Sequence, residues 1–69
     1  MTDTLMLEQK IKDSGHSKKW IAEQIGLTYY GLHKKITNAN EFKAVEIKAL
    51  CELLGITSLR EREDIFFKD

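Results

Sequence analysis

Apolar residues recur along the chain at helical spacing, in segments of about ten residues separated by short polar breaks. The first segment, about 4–14, places Leu7 and Ile11 four residues apart, on one helical face. The strongest amphipathic pattern lies at about 44–54. Its apolar positions are Ile47, Leu50, Cys51 and Leu54. Both segments are predicted to be helices that bury one face.

Two shorter helices are predicted between these segments. Ser17 is a suitable N-cap for a helix over about 18–25, and Thr28 for a helix over about 29–36. Gly26 between them favours a helix end, because glycine adopts the left-handed conformation that such ends require.

A fifth helix is predicted near the C-terminus, within about 58–69. Ser58 followed by Glu61 forms a capping-box pattern, and the segment ends in Ile65-Phe66-Phe67. No alternating run of β-branched residues lies beside hairpin turn residues, so strands are not expected. The predicted fold is all-α, a compact bundle of about five short helices in one domain over 1–69.

Composition narrows the class of protein. The chain has 69 residues, 42% of them apolar, no proline and one cysteine, so it can form a small core but no intramolecular disulfide. Neither a signal peptide nor an apolar run long enough to span a membrane is present in the sequence. A cytoplasmic protein is the expectation.

Charge is unevenly distributed although the net charge is zero. Residues 16–48 contain six lysines and three glutamates, which give +3, whereas residues 49–69 sum to −2 and residues 1–15 to −1. This polarity suits one face directed at phosphates. Scattered solvated charges explain it comparably well.

The most informative stretch is 17–37. Two short helices that cross closely need a small residue at their approach and a tight turn between them, and Ala22 and Gly26 meet these needs. Apolar residues positioned to fill the wedge between the helices are Ile21, Ile25, Leu27 and Leu32. The pattern predicts a helix-turn-helix, and its structural alternative is an ordinary helical hairpin.

This stretch resembles the helix-turn-helix of the lambda-repressor and Cro-like family, also called the xenobiotic-response-element family. The resemblance covers about 4–57, and the ending Glu63-Asp-Ile-Phe-Phe67 is similar to that of short phage and prophage repressor-like proteins. Two positions depart from the family pattern. Lys35 replaces a usually apolar residue, so Ile36 is expected to anchor the helix, and Lys43 replaces the usual Ser or Thr cap.

The resemblance implies that the second motif helix enters the major groove of DNA. The DNA-binding positions that it implies are Lys18, Lys19, Thr28, Tyr29, Tyr30, His33, Lys34, Thr37 and Asn38. Lys18 and Asn38 are expected at phosphates, and Lys34 at phosphate or guanine. Alternatives stay open for Tyr30, whose ring can instead pack on Trp20 or Phe42, and for His33, which can be an ordinary surface histidine. Trp20 is expected at the edge of the core.

The implied function is a sequence-specific transcriptional regulator, a prophage-type repressor that binds a two-half-site operator as a homodimer. The candidate dimer surface is formed by Leu59, Ile65, Phe66 and Phe67. These residues either meet a second copy or pack onto the chain's own core.

A protein-interaction module of the same fold is the alternative, acting as an antitoxin, an anti-repressor or a replication-partner binder with little DNA affinity. An enzyme is not expected. Cys51 lies on the apolar face of the fourth helix, and His16 and His33 have no metal-ligand spacing with each other or with Cys51. The sequence gives no reason to expect a cofactor or a metal.

Overall fold

In a computed structural model, which describes residues 1–69, the chain forms five α-helices and no strand. The helices are α1 (Thr4–Ser14), α2 (Lys18–Gln24), α3 (Tyr29–Ile36), α4 (Ala44–Leu54) and α5 (Leu59–Phe66). The prediction of a small all-α bundle of about five short helices is therefore confirmed.

Side-chain caps explain where most of the helices begin. The hydroxyl of Ser17 accepts a hydrogen bond from the Trp20 N–H, and that of Thr28 accepts one from Gly31, as the sequence predicted. Ser58 caps α5 through the N–H of Glu61. The second half of that predicted capping box is absent, because the Glu61 carboxylate pairs with Lys10 of α1 at 2.8 Å.

The core lies where the five helices meet. α1 packs against α3, α4 and α5, and α2 packs against α3. Every helix contributes to the set of buried apolar side chains, which are Leu7, Ile11, Ile21, Ala22, Leu32, Ile36, Ile47, Leu50, Cys51, Ile56, Ile65 and Phe66. None of the helices has the length and apolar character required to cross a membrane.

The connection between α2 and α3 depends on Gly26. Its φ is +77°, a conformation that costs other residues about 1–2 kcal/mol. Leu27 then donates its N–H to the carbonyl of Ala22 at 2.8 Å, which turns the chain sharply after α2. Ala22 is fully buried. The small residue and the turn glycine therefore occupy the places that the sequence predicted for them.

The four residues of the predicted dimer surface divide into two groups, so this prediction must be corrected. Ile65 and Phe66 are buried in the chain's own core, where Phe66 meets the ring of Phe42 edge-on at 5.6 Å between centroids. Leu59 is 77% exposed and Phe67 is 50% exposed. Only Leu59 and Phe67 therefore remain available to a partner.

The two ends of the chain lie together beside the end of α3. Asp3 donates its N–H to the carbonyl of Ile65, and Lys68 donates its N–H to that of Met1 at 2.8 Å. The Asn38 amide both accepts from the Thr2 N–H and donates to the Thr2 carbonyl, at 2.8 and 2.9 Å. The loop after α3 is thus joined to the N-terminal segment, which in turn is joined to the C-terminal one.

Candidate nucleic-acid interface

Helix α3 has one buried face and one open face. Leu32 and Ile36 are fully buried, so Ile36 does anchor the helix beside the departure at position 35. On the open side Tyr29 is 51% exposed and Tyr30 is 67% exposed. Thr28 and Thr37, at the two ends of the helix, are exposed as well. The open face is thus polar and aromatic along its whole length.

Two pairs of side chains contact each other on this open face. The rings of Tyr29 and His33 lie nearly parallel with centroids 6.4 Å apart, and the Lys34 ammonium lies 5.3 Å from the centre of the Tyr30 ring. Both pairs are one turn apart, the spacing at which helical side chains touch. The Tyr30 ring therefore contacts Lys34, and the alternative in which it packs on Trp20 or Phe42 is wrong.

His33 is partly buried, and its two ring nitrogens differ. Nδ1 is shielded from solvent and has no hydrogen-bond partner. Because Nδ1 is shielded, Nε2 is the ring nitrogen of His33 that can meet an external ligand.

The lysines at the start of α2 have different surroundings. The Lys18 ammonium forms an ion pair with Glu8 of α1 at 2.7 Å and is only partly exposed. An ammonium has three donors, so this pair leaves Lys18 able to meet a phosphate. Lys19 is exposed. The pairing with Glu8 lies between helices whose relative placement the sequence did not define.

Trp20 is exposed on α2 and does not pack at the edge of the core, so that expectation is wrong. Its ring lies against that of His16, with 4.2 Å between centroids. The pair is stacked and partly exposed. Sequence reasoning missed this contact, although the spacing of four residues across the start of a helix was the available signal.

Lys35 and Glu46 form an ion pair between α3 and α4 that sequence reasoning also missed. The Lys35 ammonium lies 2.6 and 2.7 Å from the two carboxylate oxygens of Glu46, and both side chains are nearly buried, with exposed fractions of 12% and 8%. The Glu46 carboxylate also accepts the Lys43 N–H at 2.8 Å. Lys43 itself supplies no side-chain cap, as the sequence predicted. The signal available in the sequence was a charged residue, Lys35, at a position of α3 that faces the rest of the molecule.

The pKa of Glu46 reflects opposing influences. Burial raises it, but the hydrogen bonds from Lys35 and from the Lys43 N–H, together with their positive charges, lower the pKa to below its ordinary value of 4.5. Burial raises the pKa of the Cys51 thiol above its ordinary value of 9.0. Cys51 is therefore a core residue whose protonated thiol form is favoured.

The last two predicted contacts lie at the end of α3. Thr37 is exposed, and its hydroxyl donates to the His33 carbonyl at 2.9 Å. The Asn38 side chain is occupied by Thr2, as described above, and its backbone has a positive φ of 68°. The structure therefore brings the candidate residues of α2 and α3 together. The Asn38 side chain, in contrast, makes a structural contact with Thr2.

No family model, curated protein or solved structure matches the chain.

Proposed function

We propose that the chain is a sequence-specific double-stranded DNA-binding regulator of the prophage-repressor type, in which α2 and α3 form a helix-turn-helix. The observation that carries this proposal is the open face of α3. It presents hydroxyl, imidazole and ammonium groups at helical spacing, while Leu32 and Ile36 hold the opposite face on the core. A helix exposed in this way can enter a major groove, where such groups meet base edges.

Charge supports the same assignment of roles. Lys19 and Lys34 have no carboxylate partner, and Lys34 lies against an aromatic ring on the open face of α3. Lys34 is the candidate for a base or phosphate contact within the groove. Lys18 and Lys19, at the start of α2, are the candidates for the phosphate backbone.

A homodimer on two half-sites is part of the proposal. A single helix of eight residues offers few base contacts, and a second copy would double them. Leu59 and Phe67 are the exposed residues of the C-terminal region that can supply an apolar contact between copies. The proposed place of action is the cytoplasm.

Selection of binding sites from a pool of random duplexes tests the proposal. We expect enrichment of an inverted repeat with half-sites about one helical turn apart. Affinity for the selected duplex should fall steeply as salt rises, because bound lysines displace condensed counterions. Lys34→Gln should lower affinity and change site preference. Lys12→Gln, at an exposed position of α1, removes the same charge and serves as the matched control.

Failure to enrich any duplex, with affinity that is weak at every salt concentration, would reject DNA binding. The protein-interaction module would then gain support from a groove of about 170 Å³, which is lined mainly by apolar residues and also by Thr2, Asn38 and Glu41. The apolar residues are Met1, Phe42, Ile47, Phe66 and Phe67. The exposed Phe67 and the zero net charge of the chain favour this second candidate.

A further inference from the structure

The buried pair of Lys35 and Glu46 occupies an unusual place. Lys35 stands in the last turn of α3, next to the fully buried Ile36, on the side that packs against the rest of the molecule. Glu46 stands in the first turn of α4. An apolar residue at each position would fill this place without the desolvation that two charges suffer there. The pair is therefore not explained by stability alone.

The geometry of the pair is restrictive. One ammonium contacts both oxygens of one carboxylate, and that carboxylate is held by the Lys43 N–H at the start of α4. A rotation or a slide of α3 would lengthen these bonds and leave a buried charge without its partner. Apolar side chains in the same place would tolerate such a shift, because contacts between them are not directional.

The open face of α3 moves with this inner face, since both belong to one short helix. Tyr29, Tyr30, His33 and Lys34 project from that helix, so a small rotation about its axis displaces all four side-chain ends together. Recognition of base edges depends on donors and acceptors placed at hydrogen-bond distance. Contact with phosphates by flexible lysines depends on it much less.

We propose that Lys35 and Glu46 are positioning residues that fix the rotation of α3 on the core, and thereby set which base pairs its open face recognises. This inference rests on the proposed DNA-binding function. Neither residue touches DNA in this arrangement. Their effect is on discrimination between duplexes and not on general affinity for DNA.

The test compares the wild-type chain with the double variant Lys35→Met, Glu46→Leu. Affinity is measured by fluorescence anisotropy for the duplex selected by the wild-type chain and for a random duplex, at one salt concentration. The substitution leaves net charge unchanged, so affinity for the random duplex should stay the same. Discrimination between the two duplexes should fall about tenfold, the equivalent of one lost base-pair contact. The melting temperature should stay the same or rise.

Two controls make the comparison specific. Lys10→Met, Glu61→Leu removes a pair of the same composition between α1 and α5, at 2.8 Å, and should leave discrimination unchanged. Lys35→Arg preserves a cation beside Glu46 and should retain most of the discrimination. A pair that matters only for stability would leave discrimination unchanged in all three variants.

Equal discrimination by the wild-type chain and the Lys35→Met, Glu46→Leu variant would overturn the inference alone. So would an equal loss of discrimination in the Lys10→Met, Glu61→Leu control. If the double variant does not fold, Glu46→Gln decides by the same measurement, with lowered discrimination in support and unchanged discrimination against. A wild-type chain that does not discriminate between duplexes overturns both this inference and the proposed function.

Discussion

Glu46 shows how a single buried carboxylate is kept ionised in a small protein. Transfer out of water disfavours its charge, but the ammonium of Lys35 and the N–H of Lys43 each donate a hydrogen bond to it. Glu46 also lies in the first turn of α4, where the helix dipole favours a negative charge. These stabilising contacts exceed the cost of burial, so the pKa of the folded state lies below 4.5.

This lowered pKa predicts a pH dependence of stability. The stabilisation due to ionised Glu46 is fully present above about pH 4.5, the pKa of the unfolded state, and is lost as the pH falls through the lower folded-state pKa. Glu46→Gln should lower the free energy of unfolding by about 2 kcal/mol at neutral pH, since a hydrogen-bonded charge is lost. Urea titrations from pH 7 to pH 3 should show this difference shrinking below about pH 4.5.

Glu61→Gln is the control for that prediction. Glu61 is paired with Lys10, and about one third of each side chain is exposed, so solvent weakens the interaction. Substitution of Glu61 should therefore change the free energy of unfolding by about 1 kcal/mol or less. A Glu46→Gln variant whose stability deficit is equally large at acid and neutral pH would show that the carboxylate charge is not its cause.

At the scale of the elements, the sequence determined most of what the structure shows. Helix limits followed from local features, namely the spacing of Leu7 and Ile11, the caps Ser17 and Thr28, and the positive φ of Gly26. These features act within one or two turns of the chain, so they can be recognised without knowledge of the fold.

Contacts between elements could not be predicted in the same way. The pair of Lys18 with Glu8 joins side chains ten residues apart, and the pair of Lys35 with Glu46 joins side chains eleven apart. Each depends on how two helices are placed relative to one another, and helical spacing gives no information about that placement. For the same reason the sequence did not decide whether Phe66 packs inward or meets a partner.

Gly31 in helix α3 lies close to the hydroxyl group that caps the helix. A Cβ added at Gly31 would lie 3.1 Å from the Thr28 hydroxyl that caps the helix. Gly31→Ala should therefore change stability little in the wild-type chain, because a gain of about 0.5–1 kcal/mol in helix propensity is offset by a strained cap. In a Thr28→Ala background the hydroxyl is absent, and the full gain should appear. Urea unfolding of the four chains gives the coupling energy.

The prediction would be contradicted if the effects of Gly31→Ala and Thr28→Ala on the free energy of unfolding were additive. Equal effects of Gly31→Ala in both backgrounds would mean that the cap adjusts to the added methyl group without cost. The space at Gly31 would then have another role, and close approach of the α3 backbone to DNA would be the remaining reason for a glycine in this helix.

At the scale of the whole molecule, the two ends of the chain close around the end of α3. Asn38 contributes to this closure through its amide bonds to Thr2, and the pairing of Asp3 with Ile65 and of Lys68 with Met1 completes it. A residue that resembles a phosphate contact in sequence thus has a structural contact in the fold. Asparagine is suited to this place because it tolerates the positive φ of 68° observed there.

Asn38→Gly separates the two roles of this residue, since glycine keeps the backbone conformation and removes the amide. The free energy of unfolding should fall by about 1–2 kcal/mol with the loss of two partly buried hydrogen bonds. Hydrogen exchange should accelerate at the amides of Thr2 and Lys68 more than at core amides. Affinity for a selected duplex should stay the same, because the Asn38 amide faces Thr2.

Asn40→Ala removes an exposed amide from the same loop and should change none of these three quantities. If Asn38→Gly instead weakens DNA binding while exchange at Thr2 and Lys68 is unchanged, the amide acts on phosphate and the joining of the two ends does not depend on it. If both change, the end of α3 is positioned by the closure of the termini. In that case the ends of the chain belong to the binding machinery, although neither lies on the open face of α3.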